Sequence, residues 1–225
     1  HDDADLDAFE SDIRWGIYFN AGQVCSAMSR VIVHESRAAE MLERAERVAR
    51  SLSVGPGIDR PETGPTMGAI VSDAQRDRAV GMIARAEEQG ARVVTGGRKL
   101  NRPGAFLEPT VLSSVTADME IAQQEVFGPV LSVLSFRDEA EAIEIANGTE
   151  YGLVAGVFTA DLDRATRAAR QLRAGQVFVN EWFAGGVETP FGGYGKSGYG
   201  REKGREALWN YVQTKNVALK LKGIP

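Results

Sequence analysis

The 225-residue sequence has one cysteine, two histidines and no apolar run near the roughly 18–20 residues needed to cross a bilayer. A lone cysteine excludes an internal disulfide and makes a reducing, cytoplasmic compartment the expected setting. One Cys and two His fall short of the four ligands a structural zinc takes, so no metal site is expected. Basic residues are short as well: 26 Lys and Arg face 31 Asp and Glu, a net charge of −5. Nucleic acid is therefore a poor partner, because phosphate binding draws on a surplus of Lys and Arg. Repeats, low-complexity tracts and blocks of like charge are also missing. The opening His1-Asp2-Asp3-Ala4-Asp5 is acidic and does not read as a signal peptide. A first residue other than Met points to a processed chain or a piece of a longer one. What is present, 43% hydrophobic and 25% charged residues, is a globular composition with ample material for a buried core.

Helical and strand patterns alternate along the chain. Asp5 to Phe19 reads as a helix with acids crowding its start, where the helix dipole favours them. Arg30 to His34 is a β-branched run and reads as a strand. Ala38, Met41, Leu42, Ala45, Val48, Ala49 and Leu52 recur at spacings of three and four, one apolar helix face. A Gly/Pro-rich connection runs from Gly55 to Gly68. Ser72 with Gln75 reads as a capping box opening a helix to Gln89. Strands are expected over Arg92–Thr95, Phe106–Val111, Pro129–Phe136, Leu153–Thr159 and Gln176–Asn180. Helices are expected over Glu139–Asn147 and after Asp161, the latter with Leu162, Ala165, Ala169 and Leu172 inward. This alternation implies an α/β layer with a mainly parallel sheet flanked by helices, in one domain. Gly185 to Gly204 holds eight glycines in twenty positions and reads as a loop. Tyr211 to Lys222 alternates as a terminal strand, of the kind that completes a neighbour's sheet.

Three clusters carry candidate chemistry. Cys25 follows a helix end and a Gly turn, where backbone N–H groups can stabilise a thiolate or an oxyanion. A buried structural thiol fits the same context. Glu125-Val126-Phe127-Gly128-Pro129 puts a carboxylate, able to accept two hydroxyl hydrogen bonds, before a turn into a strand. A solvated turn acid with a core Phe is the alternative. Trp182, Phe183 and Phe191 lie on the loop after a strand, where aromatics suit a pocket wall or ordinary core packing. Gly193 to Gly198 matches G-x-G-x-x-G by letter only. No strand leads into it and no acidic residue follows at ribose distance. His34 is the one histidine near Cys25 in sequence, and nothing specific supports a Cys–His pair.

Taken in order, the clusters resemble the aldehyde dehydrogenase superfamily. Phe19-Asn20-x-Gly22-Gln23-x-Cys25 is similar to its nucleophile motif and Glu125-x-Phe127-Gly128-Pro129 to its nicotinamide-ribose motif. Pro190-Phe191-Gly192-Gly193 with Lys196-Ser197-Gly198-x-Gly200-Arg201-Glu202 is similar to its C-terminal signature. Asp2 to Asp7 resembles the segment before the cysteine helix. The resemblance implies that Cys25 is the catalytic thiol, forming a hemithioacetal and then a thioester as an aldehyde is oxidised to an acid with NAD or NADP. It implies that Glu125 holds the ribose hydroxyls, that Phe127 packs beside the nicotinamide, and that Phe191, Trp182 and Phe183 line the aldehyde pocket. It further implies a catalytic portion over residues 1–209 and an oligomerisation strand over 210–225, giving a homodimer or homotetramer. The family's nucleotide-binding domain and its general-base Glu-Leu-Gly-Gly motif have no counterpart in these residues. Negligible NAD-linked turnover is therefore expected of the 225 residues alone. Two other readings stay open: a catalytically silent oligomerisation module, and an NAD-independent thiol acyl-transferase or hydrolase.

Overall fold

The computed structural model describes residues 1–59, 66–220 and 223. Its strands are β1 (Arg30–His34), β2 (Ser53–Val54), β3 (Thr66–Met67), β4 (Arg92–Thr95), β5 (Thr110–Ser113), β6 (Val130–Phe136), β7 (Tyr151–Gly152), β8 (Val154–Val157), β9 (Gln176–Val179) and β10 (Tyr194–Gly195). Its helices are α1 (Leu6–Tyr18), α2 (Ala38–Arg50), α3 (Asp73–Glu88), α4 (Glu120–Gln123), α5 (Glu139–Asn147) and α6 (Leu162–Gln171). Four helices begin where short polar side chains can take up orphan N–H groups. Asp5 accepts from Asp7 and Ala8, Ser72 from Gln75, Asp138 from Glu141 and Asp161 from Arg164.

The central sheet runs β1-β6-β5-β4, with β1, β6 and β5 parallel and β4 antiparallel to β5. β6 is its centre. The sequence Val-Leu-Ser-Val-Leu-Ser-Phe is buried at every position except Ser135, as a parallel strand covered on both faces requires. Met41, Ala45, Val48 and Ala49 of α2 and Ala79, Met82, Ile83 and Ala86 of α3 are buried in the same core. Burial at this density supplies the main stabilisation, of the order of 1.5–3 kcal/mol for each large apolar side chain. β8 and β9 form a separate parallel pair, Val154↔Gln176 to Val157↔Val179, with α6 packed against both strands, while α5 lies against β1 and β6.

The α/β class with a mainly parallel, helix-flanked sheet is as expected. Several details differ. The strand expected over Phe106–Val111 begins at Thr110, and Leu107 makes only an isolated bridge to Lys99. On α6, Leu162 is 78% exposed while Ala165 and Ala168 are buried. Leu162 is the first helical residue and points off the end of the inward face. The tail is not a strand of this chain. Residues 206–211 form a short 3-10 helix, and residues 212–220 carry no regular element and are exposed, with Val217 at 68% and Leu219 at 81%. A lone strand has no ladder to join, and among the described residues this segment pairs with no strand. Leu221 and Lys222 lie outside the described residues. No described helix is long and apolar enough to cross a membrane.

Candidate active site

Helix α1 ends at Tyr18 and the chain reverses through Phe19–Gly22. Asn20, Ala21 and Gly22 all take left-handed backbone, with φ of 50°, 54° and 71°. That conformation is uncommon for Asn and strained for Ala, so neighbouring bonds must hold it. Asn20 Nδ2 donates to the Gln23 carbonyl and Gln23 Nε2 donates back to the Asn20 carbonyl, each at 3.0 Å. Gln23 Oε1 accepts from the Val71 N–H at 2.8 Å. The loop is thereby tied to the segment before α3. Cys25 sits on the turn that follows, closed by Ala27 N–H donating to the Val24 carbonyl at 2.9 Å. Trp182 Nε1 donates to the Ser26 carbonyl at 3.1 Å.

The opposite wall is the segment Glu125–Gly128, with Phe127 at φ 53°. Two side chains of α3 hold its carbonyls. Gln75 Nε2 donates to Val126 and Phe127 at 2.8 and 3.1 Å, and Arg78 donates to Glu125 and Val126 at 3.0 and 3.1 Å. Gln75 is therefore only half of the expected capping box. Its backbone N–H donates to Ser72 Oγ at 3.2 Å, while its amide reaches across to the other loop. Glycine joins the two walls. A methyl on Gly22 would collide with the Gly128 carbonyl, so only Gly, already in left-handed backbone, lets the thiol loop lie on the Gly128-Pro129 turn.

This contact places Cys25, Glu125, Phe127 and Trp182 around one cavity of about 460 Å³. Phe183 and Phe191 are not on its wall. Phe183 packs edge-on against Trp182 and Phe178, at 6.3 and 6.5 Å between centroids. Phe191 exchanges backbone hydrogen bonds with Glu202, and its ring lies 5.5 Å from Lys203 Nζ. Glu125 is exposed as a residue, but its carboxyl stands at the cavity mouth. Partial burial there raises its pKa, and Arg78 opposes the rise. Beneath Trp182, Asp12 of α1 is raised in the same direction by burial, against the Trp182 backbone N–H.

One expectation is corrected here. A hemithioacetal and thioester on Cys25 call for an enclosed nucleophile, but the one cysteine of this chain is exposed. An acyl group at that position stands open to bulk water. The Cys–His alternative also finds no geometry: His34 Nδ1 bonds Ser36 Oγ at 2.8 Å and Nε2 meets the Arg137 carbonyl at 3.1 Å. The Gly193–Gly198 loop serves structure. Its β10 residues pair with β7, Lys196 N–H donates to the Glu150 carbonyl, and Ser197 Oγ accepts from Gly152. Gln75 and Arg78 were not foreseen, because each acts on a segment some 50 positions away and no local pattern marks such a reach. Among the described residues no three His, Cys, Asp or Glu side chains cluster as metal ligands do.

The chain matches the aldehyde dehydrogenase family model over residues 1–217. It is 43% identical over 216 residues to a mitochondrial aldehyde dehydrogenase of Leishmania tarentolae, covering 96% of this chain and 43% of the relative. It is 44% identical over 216 residues to a betaine aldehyde dehydrogenase of Cereibacter sphaeroides, covering 96% and 44%. Among solved structures, the NAD+ complex of aldehyde dehydrogenase from Bacillus cereus superposes with a TM-score of 0.93 at 40% identity, covering 99% of this chain and 45% of that one. The chain thus spans under half the length of these relatives.

Proposed function

The chain belongs to the aldehyde dehydrogenase family, and on that premise we propose that it forms the aldehyde-facing portion of an oxidoreductase using NAD or NADP as acceptor. The observation that carries the reading is the seating of the Gly22 turn on Gly128, which brings the only thiol and the Glu125–Phe127 wall to one cavity mouth. The residues present suit the nicotinamide end of such a coenzyme. Glu125 is an acceptor-only carboxylate when ionised, matched to a pair of ribose hydroxyls. Phe127 supplies an exposed ring beside it, and α3 fixes the backbone of both through Gln75 and Arg78. When bound, the coenzyme supplies a hydride acceptor. Cys25 is assigned as the catalytic-site residue that meets the aldehyde. Trp182, anchored on Ser26 and backed edge-on by Phe183, is assigned as the apolar wall.

Residues 1–209 are assigned to the catalytic portion and 210–225 to a strand that pairs with a second copy. The exposed Val217 and Leu219 support the second assignment. A cytoplasmic setting accords with the one exposed, unpaired thiol.

The test is reduced-nicotinamide formation by the full-length polypeptide with short aliphatic, aromatic and ammonium-bearing aldehydes and each coenzyme. Activity is expected with at least one pair. Cys25→Ala is expected to abolish it. Glu125→Gln is expected to raise the coenzyme KM about tenfold, the loss of a charge-assisted hydrogen bond. An inactive parent, or a fully active Cys25→Ala variant, overturns the assignment.

A further inference from the structure

Trp182 is held at more points than a pocket wall needs. It follows β9 in a reversal where Asn180 and Phe183 both take left-handed backbone, with φ of 56° and 65°. Such backbone persists where neighbouring bonds hold it. The Asn180 side chain does so here. Its Oδ1 accepts from the Thr159 N–H at 2.8 Å, and its Nδ2 donates to the Thr159 carbonyl at 2.9 Å. The reversal sends the indole back across β8. A methyl on Gly156 would lie 2.7 Å from Cζ3 of the ring, so the ring rests directly on the β8 backbone. Phe178 and Phe183 stand against it at 5.2 and 6.3 Å between centroids.

So placed, the ring aims its one polar atom at the thiol turn. Val24 and Ala27 are the ends of that turn, and Cys25 and Ser26 its corners. The Ala27 N–H donates to the Val24 carbonyl at 2.9 Å. The Ser26 carbonyl, in the same peptide unit as that N–H, accepts from Trp182 Nε1 at 3.1 Å. Both polar groups of one peptide plane are thus bonded, and the plane cannot rotate without breaking one of the bonds. The preceding loop is tied to the segment before α3 through Gln23. Among the described residues no side chain other than Trp182 bonds the Val24–Ala27 turn.

We propose that Trp182 is a positioning residue for the thiol: its indole N–H fixes the Ser26–Ala27 peptide and so sets the direction from which Cys25 meets the aldehyde. This role rests on the one proposed for Cys25. It asks more of Trp182 than an apolar wall does, since any aromatic ring of similar size supplies a wall. It also makes β8 part of the site, because the ring seated on Gly156 carries the position of that strand to the turn.

Two variants of the full-length polypeptide separate these roles. Trp182→Phe keeps a ring and removes the donor. Gly156→Ala keeps the donor and pushes the ring off the β8 backbone. In both, exchange of the Ala27 amide is expected to quicken about fivefold relative to the β6 amides, the effect of losing one hydrogen bond. In both, kcat is expected to fall by about the same factor with the aldehyde KM unchanged, because positioning acts on the reacting geometry and not on substrate burial. A raised aldehyde KM with kcat and Ala27 exchange unchanged overturns the proposal and leaves Trp182 a wall. Unchanged Ala27 exchange in Trp182→Phe overturns it as well, whatever Gly156→Ala does. Exchange needs no turnover, so an inactive parent would overturn the proposed reaction while Ala27 still decides the role of Trp182.

Discussion

The two flanks of the cavity are built differently. On the β1–β6 flank, α2 and α3 bury eight side chains between them, and the large apolar core runs continuously from Ala4 to Leu134. On the β8–β9 flank, α6 buries two alanines, and the contacts to the main core pass through the half-buried Phe158 and Trp182. The first flank carries the stability and holds Gln75 and Arg78, which fix the Glu125–Phe127 wall. The second is joined to the first by the Trp182 indole on Ser26, Asp3 on Thr159 and Ala160, His1 on the Phe158 carbonyl, and Arg164 on Asp2 and Asp3. The thiol loop stands at the junction, so its geometry rests on the rigid flank and its exposure on the loose one.

The largest effect expected from breaking this arrangement is at Gly22. Gly22→Val combines left-handed backbone with a collision against the Gly128 carbonyl, and should destabilise the fold by about 4 kcal/mol or more, read from urea unfolding. Gly200→Ala, with nothing within 4 Å of the added methyl, is the matched control and should change stability by less than about 0.5 kcal/mol. Equal losses at the two glycines would mean that the Gly22–Gly128 seating is not what joins the walls.

The next effect separates the flanks directly. Leu134→Ala, in the centre of β6, should cost about 3 kcal/mol by transfer and cavity terms together. Leu162→Ala, at the exposed start of α6, should stay within about 0.5 kcal/mol. Comparable losses would show that the β8–β9 flank packs more tightly in solution than its burial suggests.

Much of this contrast was legible in the sequence. Pro129–Phe136 read as a strand, the period of α2 read as one apolar face, and Ser72 and Asp161 marked two helix starts. Ordinary propensity and capping decide those elements locally. Leu162 and the tail read less well, since apolar letters do not say whether a neighbour exists to cover them. The division of the sheet between β1 and β8 was not legible, because both strands have the composition of a continuous parallel sheet. At the site, Cys25 and the Glu125–Phe127 wall were candidates from their turns, and only the family resemblance raised them above structural readings. Their seating through Gly22 and Gly128 depends on two glycines more than 100 residues apart, which no local pattern reveals.

A smaller effect tests the link between the flanks. Trp182→Phe keeps the ring over β8 but removes the indole donor, leaving the Ser26 carbonyl without it, at about 1 kcal/mol. The sharper readout is alkylation of Cys25 by iodoacetamide, whose rate should change because Ser26 adjoins the thiol. Unchanged alkylation with reduced stability would confine Trp182 to packing.

The smallest effect concerns Glu125, and its sign separates site from core. Burial holds this carboxyl above the ordinary carboxylate range despite Arg78 nearby. As pH rises, the unfolded chain therefore loses this proton first, and the folded state is progressively penalised until its own carboxyl ionises. Glu125→Gln removes that penalty. The variant should match the parent at acid pH, gain on it as pH passes through the carboxylate range, and keep a constant small advantage above it. Loss of stability at neutral pH instead would mean that attraction to Arg78 outweighs desolvation, and that the carboxyl is a surface partner of α3. With the expected sign, the same substitution stabilises the fold and weakens coenzyme binding, the opposition found where a charge is kept for a ligand at the expense of the free protein.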